Sequence, residues 1–159
     1  MNIKIIAVGK VKEAFYRDAI AEFQKRLSAY AKLEVIEVAD ESTPEHASAK
    51  LQQQIKDKEA ERILKAIRED SFVVTLEIDG KKCSSEQFAK QIDNHMISGV
   101  SSMVFVIGGS LGLSPKVSGR SQWKLSFSDM TFPHQLMRVI LLEQIYRAFR
   151  IINREPYHK

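Results

Sequence analysis

The stretch from Val104 to Phe149 reads VFVIGGSLGL over 104–113 and, after eleven intervening residues, LSFSDMTFPHQLMRVILLEQIYRAF over 125–149. An unbroken apolar run enters paired glycines. A second short apolar run ends in Ser126 to Thr131, and Pro133 then opens a long helix that is apolar on almost every side. Two strand ends therefore deliver two loops. In an open α/β sheet, ligands bind beyond the carboxyl ends of the strands, where such loops meet, so the chemistry is expected here.

Working outward, NIKIIAV at 2–8 has the Ile/Val density of a strand covered on both faces. Phe15, Ala19, Phe23 and Leu27 recur every fourth residue and predict an amphipathic helix over 13–31. LEVIEV at 33–38 predicts a second strand, and Thr43 with Pro44 offers an N-cap and first turn for a helix reaching about Arg68. Its segment KDKEAER mixes six charges of both signs in seven residues, the mark of a solvated face. FVVTLEI at 72–78 predicts a third strand ended by Asp79-Gly80, and Ser84 with Gln87 forms a capping box for a helix to Ser98. A fourth strand is expected at 103–107, a short helix from Ser114 with Pro115 in its first turn, and a fifth strand at 124–127. This alternation predicts one α/β domain over 1–159, a mostly parallel sheet flanked by helices on both faces.

The last helix, expected over 132–152, carries apolar residues around most of its circumference. Such a helix must be buried on most sides. At the end of a short chain this predicts cover by a second copy, most simply in a two-fold homodimer. Within it Glu143 and Arg147 stand four residues apart, as a surface pair would, but an acid in so apolar a stretch would be costly to bury alone.

Composition narrows the chemistry. One cysteine, Cys83, cannot form an internal disulfide, and four scattered histidines lack zinc-site spacing, so neither a disulfide framework nor a metal centre is expected. A reducing cytoplasm fits, with no leader pattern and no membrane span. The net charge is +4, but residues 111–159 carry +5 and the remainder −1, which places a basic patch beside the expected site and points to a polyanion.

The loop Gly108-Gly109-Ser110-Leu111-Gly112 misses the dinucleotide fingerprint by one place, because residue 107 is Ile, and no phosphate-loop sequence is present. Glycines there allow close backbone approach to a ligand; a structural turn would also explain them. Ser126, Ser128 and Thr131 line a second loop, with Thr131 a candidate helix cap, and His134 falls in the first helical turn, where the dipole favours its neutral form. The tail Tyr157-His158-Lys159 combines an aromatic ring, a titratable ring and a cation, a set able to stack on a base and handle its proton. These features leave two classes open: an enzyme using a nucleoside cofactor, and a non-catalytic basic module that binds ribosomes or RNA.

IGGSLGL, LSFSDMTFPHQLMRVILLEQIYRAF and the terminal NREPYHK together resemble the RlmH family, the SPOUT-class pseudouridine methyltransferases of large-subunit ribosomal RNA; the opening IKIIAVGKVKEAFYRDAIAEFQKRL is similar to it as well. The resemblance spans the chain. It implies a SPOUT-type α/β knot, a deep C-terminal trefoil that brings both loops to one pocket, and bent S-adenosylmethionine held there by Leu76, Gly108 and the run Phe127, Ser128, Asp129, Met130, Thr131 and Phe132. It further implies a homodimer without a separate RNA-binding domain, each site completed by the other subunit's tail, and no metal. The implied reaction is methylation of N3 of pseudouridine 1915 in 23S rRNA on assembled ribosomes. On that basis His158 is expected as base or proton relay, Tyr157 as the group orienting the nucleobase, Arg147 and Arg154 as holders of phosphate or imide anion, and Glu143 as the group that positions Arg147.

Overall fold

A computed structural model describes all residues, 1–159. Five strands, β1 (Asn2–Val8), β2 (Lys32–Val38), β3 (Phe72–Lys82), β4 (Ser102–Ile107) and β5 (Trp123–Ser126), form one sheet in the order β2-β1-β4-β3-β5. Every pairing is parallel. β1 and β4 lie inside this sheet with a core packed on each face, which accounts for their nearly uninterrupted apolar residues. The alternation is visible in depth: Ile3, Ile5, Ala7, Met103, Phe105 and Ile107 enter one core, Ile6, Val8, Val104 and Val106 the other.

The helices are α1 (Ala14–Leu27), α2 (Ala49–Lys65), α3 (Ser85–Ile97), α4 (Pro115–Ser118) and α5 (His134–Ile152). α1, α3 and α5 supply the larger core, α2 and α4 the smaller. Ser84 closes the expected capping box, its hydroxyl accepting from Gln87 N–H and its own N–H donating to the Gln87 side chain.

Several boundaries differ from expectation. α2 begins five residues beyond Pro44, capped by Ser48, whose hydroxyl accepts from Leu51 N–H at 3.2 Å. His46, with φ 58°, breaks any earlier helix, and the preceding segment is tied to α2, with Arg62 donating to Ala39 O and Glu41 N–H to Glu59. α1 ends at Leu27 rather than near Ala31. β3 continues past Asp79-Gly80 to Lys82, its register to β5 jumping between Leu76 and Lys81. A Cβ on Gly80 would stand 2.8 Å from the Lys124 carbonyl carbon and oxygen, so the glycine permits close strand contact rather than ending the strand. Finally, α5 starts at His134 with Pro133 as its N-cap and no side-chain cap, so Thr131 does not cap it.

α5 packs between α1 and α3 over the sheet. Met137, Leu141, Leu142, Ile145, Ala148 and Phe149 are buried, while Leu136, Val139, Ile140, Tyr146, Ile151 and Ile152 are only partly covered. A single chain thus buries one broad face of this helix and leaves the other half covered. Arg138 lies in the buried face at 2% exposure, donating to Glu37 and to the Val8 and Gly9 carbonyls, so it clamps the end of β1. No helix is long and apolar enough to cross a membrane.

Candidate functional site

The two loops meet. The chain beyond β4 and the chain beyond β5 line one cavity of about 190 Å³ with the middle of β3 and the first turn of α5. Of the residues expected to hold a cofactor, Leu76, Gly108, Phe127, Ser128, Met130, Thr131 and Phe132 line it. Asp129 does not; it is exposed and pairs with Lys82 at 2.5 Å. The glycines have distinct reasons. A Cβ at Gly108 would stand 3.0 Å from Gly112 C and Leu113 Cδ2, and Gly112 has φ +83°. Only residues without a side chain let this loop fold so tightly that its backbone faces a ligand.

The cavity carries little charge. Glu77 is engaged by Thr75 and Ser118 hydroxyls. His134 is half-buried and hydrogen-bonds to no protein group, its ring resting near Gly9 and Asp40. Burial first, and Arg138 one turn along the helix second, push its pKa below the ordinary value, with Asp40 opposing. The helix position alone suggested a neutral ring; the structure assigns that state chiefly to burial. Such a lining suits a nucleoside cofactor: backbone groups at the turns, apolar Leu76, Phe127 and Phe132 around them, and one half-buried imidazole. Ile78 and Met130 are exposed at 50% and 74% while lining the cavity, so its mouth is apolar and open.

The residues expected to do the chemistry gather elsewhere. Arg147 donates to Glu143 Oε1 from Nη2 at 2.6 Å and from Nε at 3.0 Å; Tyr157 Oη donates to the same oxygen at 3.0 Å, and Gln144 to Oε2 at 2.8 Å. The Arg147 guanidinium lies 4.8 Å from the Tyr157 ring centroid. Burial and the Glu143 bond raise the Tyr157 pKa. Arg147 Nη1 stands 3.1 Å from His158 Nδ1, and His158 Nε2 stands 2.7 Å from Glu86 Oε1. Because arginine can only donate, a neutral His158 in this network accepts at Nδ1 and donates from Nε2 to Glu86. That bond first, then the Glu86 backbone N–H and the Ser84 hydroxyl, hold the Glu86 pKa at about 2. Arg154, exposed and with φ 55°, stands outside this cluster.

None of these groups lines the first cavity of its own chain. Arg147 is ten residues beyond Met137, the last cavity residue of α5, or roughly 15 Å at about 1.5 Å per residue. The basic excess is also less free than composition suggested: Arg138, Arg147 and Arg150 are paired with Glu37, Glu143 and Glu155, and Lys124, Arg154 and Lys159 remain exposed. Glu86 and Gln144 drew no attention in the sequence, where a capped helix start and a glutamine beside an acid carry no signal. No cluster of metal-ligating side chains is present.

A family model described as "Predicted SPOUT methyltransferase" matches residues 1–158. The chain is 64% identical over its full length and that of its relative to a protein of Bifidobacterium animalis subsp. lactis named "Ribosomal RNA large subunit methyltransferase H". It is 60% identical, again over both full lengths, to the protein of the same name from Clostridium botulinum.

Proposed function

The chain belongs to the SPOUT methyltransferase family, and from that premise we propose that it methylates N3 of pseudouridine 1915 in 23S rRNA, on assembled large subunits or whole ribosomes in the cytoplasm. The observation that carries the reading is the joint cavity of the two loops, lined by seven of the eight residues expected to hold S-adenosylmethionine, in a chain 64% identical to a relative named for large-subunit rRNA methylation.

Leu76, Gly108, Phe127, Ser128, Met130, Thr131 and Phe132 hold the cofactor, mainly by backbone groups, in the threaded arrangement of the family. Bound there, S-adenosylmethionine supplies a methyl on a positively charged sulfur, so no metal is needed to activate the leaving group. The protein's own task lies at the acceptor. N3 of the base carries an imide proton that must leave before nitrogen attacks, and His158 takes it at Nδ1 once substrate displaces the Arg147 contact. Tyr157 orients the base, Glu143 positions Arg147, and Arg147 with Arg154 holds phosphate or the imide anion. Orienting nucleophile and methyl supplies much of the acceleration.

These groups lie well away from the cavity of their own subunit, so the reading includes a homodimer in which each tail serves its partner's cavity. The half-covered outer face of α5 and the exposed Met130 and Ile78 at the mouth support that arrangement. The molecule works as a single domain, with RNA bound by this same surface. Ribosomes from cells with and without the protein test the reaction: N3 methylation of that nucleotide is expected only with it. Equal methylation in both would overturn the proposal.

A further inference from the structure

A second cavity, of about 210 Å³, shares Leu125 and Phe127 with the first and is otherwise bounded by the start of α3 and the middle of α5. Its polar lining includes Ser85, Ser126 and Gln144, and its apolar walls include Phe88, Phe127 and Ile140. Ser85 and Gln144 are the immediate chain neighbours of Glu86 and Glu143, the two carboxylates that hold His158, Tyr157 and Arg147. This space therefore adjoins the cofactor cavity of its own chain, and its far wall borders the cluster that, in the dimer proposed above, serves the partner's cavity. Resting on the methyltransferase reading above, we propose that it is the acceptor-base site, taking one unstacked pyrimidine, and that Gln144 reads the N1–H and C2=O edge that distinguishes pseudouridine from uridine.

The hydrogen bonds fix the amide. Ser85 Oγ donates to Gln144 Oε1 at 2.7 Å, and Gln144 Nε2 donates to Glu143 Oε2 at 2.8 Å. An amide carries two N–H donors and two oxygen lone pairs, so one of each remains. That remainder complements an adjacent N–H and C=O. Pseudouridine is joined to its ribose through carbon, which leaves N1 protonated beside the C2 carbonyl; uridine is joined through N1 and has no such donor. Engaging N1–H and C2=O leaves N3, between the two carbonyls, unoccupied by Gln144 and open to reaction. Enzymes acting on an extruded base characteristically combine edge hydrogen bonds with apolar or aromatic walls, which Gln144, Ser85, Phe88 and Phe127 supply. A lone pair that loses its partner in a closed site discriminates strongly against the analogue lacking the donor.

The test uses the full chain, wild type and Gln144→Leu, with Gln144→Glu as an isosteric control that keeps the acceptor and loses the N–H. Each is titrated calorimetrically with S-adenosylmethionine and assayed on ribosomes carrying pseudouridine or uridine at the target. Separately, the wild-type Gln144 side-chain amide resonances are followed on adding the nucleosides pseudouridine or uridine. Expected are cofactor affinities within about twofold of wild type, a loss of about tenfold to a hundredfold in kcat/KM on pseudouridine in both variants, collapse of the preference over uridine in Gln144→Leu, and amide shifts with pseudouridine only. Wild-type methylation with an undiminished preference in both variants would overturn the acceptor site and leave the functional reading standing. Failure of wild type on pseudouridine ribosomes would overturn the functional reading itself, and the acceptor site with it.

Discussion

The cavity between the two loops and the cluster at the end of α5 are built from opposite materials. The first is backbone and hydrocarbon: glycine turns, Leu76, Phe127, Phe132, and one half-buried neutral ring. The second is charge and hydrogen bonding, with Glu143 accepting from three side chains and His158 engaged at both nitrogens. A site made of turns is ready before its ligand arrives, and its weakness is volume. A site made of paired charges must exchange a partner for the substrate, and its weakness is a lost partner or a changed proton. Each region should therefore fail to different insults.

The largest effect should come from volume. Gly108→Val places branched carbon where Gly112 and Leu113 already stand 3.0 Å from a single Cβ. Calorimetry is expected to show S-adenosylmethionine affinity reduced at least about a hundredfold, about 2.7 kcal/mol. Arg147→Ala, which adds no volume and touches no wall of the cavity, should bind the cofactor within about twofold of wild type while losing most of its methylation. Reversal of these two results would erase the distinction between the regions.

The same contrast decides what was legible in the sequence. Strand placement followed from Ile and Val density in NIKIIAV and SMVFVI, because a doubly covered strand leaves no other pattern. The pairing of loop 108–113 with loop 126–132 was expected from their positions after strands, although the glycine spacing matched no fingerprint. Misreadings fell where local chemistry was overruled by the surrounding structure: Thr43-Pro44 looks like a helix start, but Arg62 and Glu59 hold Ala39 and Glu41, just ahead of it, to α2, and His46 at φ 58° interrupts any helix from Pro44. Gly80 looks like a strand end, but the approach of β5 makes it a bulge. Glu143 with Arg147 and the tail Tyr157-His158 drew attention by residue type and the family resemblance gave them roles, but Glu86 was not legible, since nothing local joins it to a histidine 72 positions away. Arg138 was read as part of a basic surface and is instead a buried clamp on β1, a use that no count of charges reveals.

A smaller, proton-driven effect belongs to the cluster. The Glu86 carboxylate titrates at about 2 in the folded protein against an ordinary 4.5, so its bond to His158 favours the docked tail above pH 4.5 and loses that contribution as pH falls toward 2. Amide exchange at Tyr157 and His158 should therefore quicken across this window in wild type. In Glu86→Gln it should already be faster at pH 5 and change less on acidification. A tail that exchanges identically in the two proteins would show the contact to be dispensable and shift the weight of docking onto Glu143.

The smallest effect tests whether the cavity has a proton dependence of its own. His134 titrates below 6.5 in the folded protein because burial and Arg138 disfavour its charged form, with only Asp40 in opposition. Unfolded chains therefore bind more protons than folded ones in the interval between the two values, so stability rises with pH there. The neutral ring costs nothing above 6.5; as pH falls from 6.5 toward the folded value the handicap grows, and below that value it levels off. Replacement by glutamine, uncharged at every pH, removes that dependence. Melting temperatures between pH 5 and 7 should fall less steeply toward acid in His134→Gln than in wild type. Glu86→Gln should leave this interval untouched and alter only the region below 4.5. If either substitution changed the other's window, the two regions would be sharing one proton equilibrium through α5, and the division between a cavity limited by volume and a cluster limited by charge would have to be redrawn along that helix.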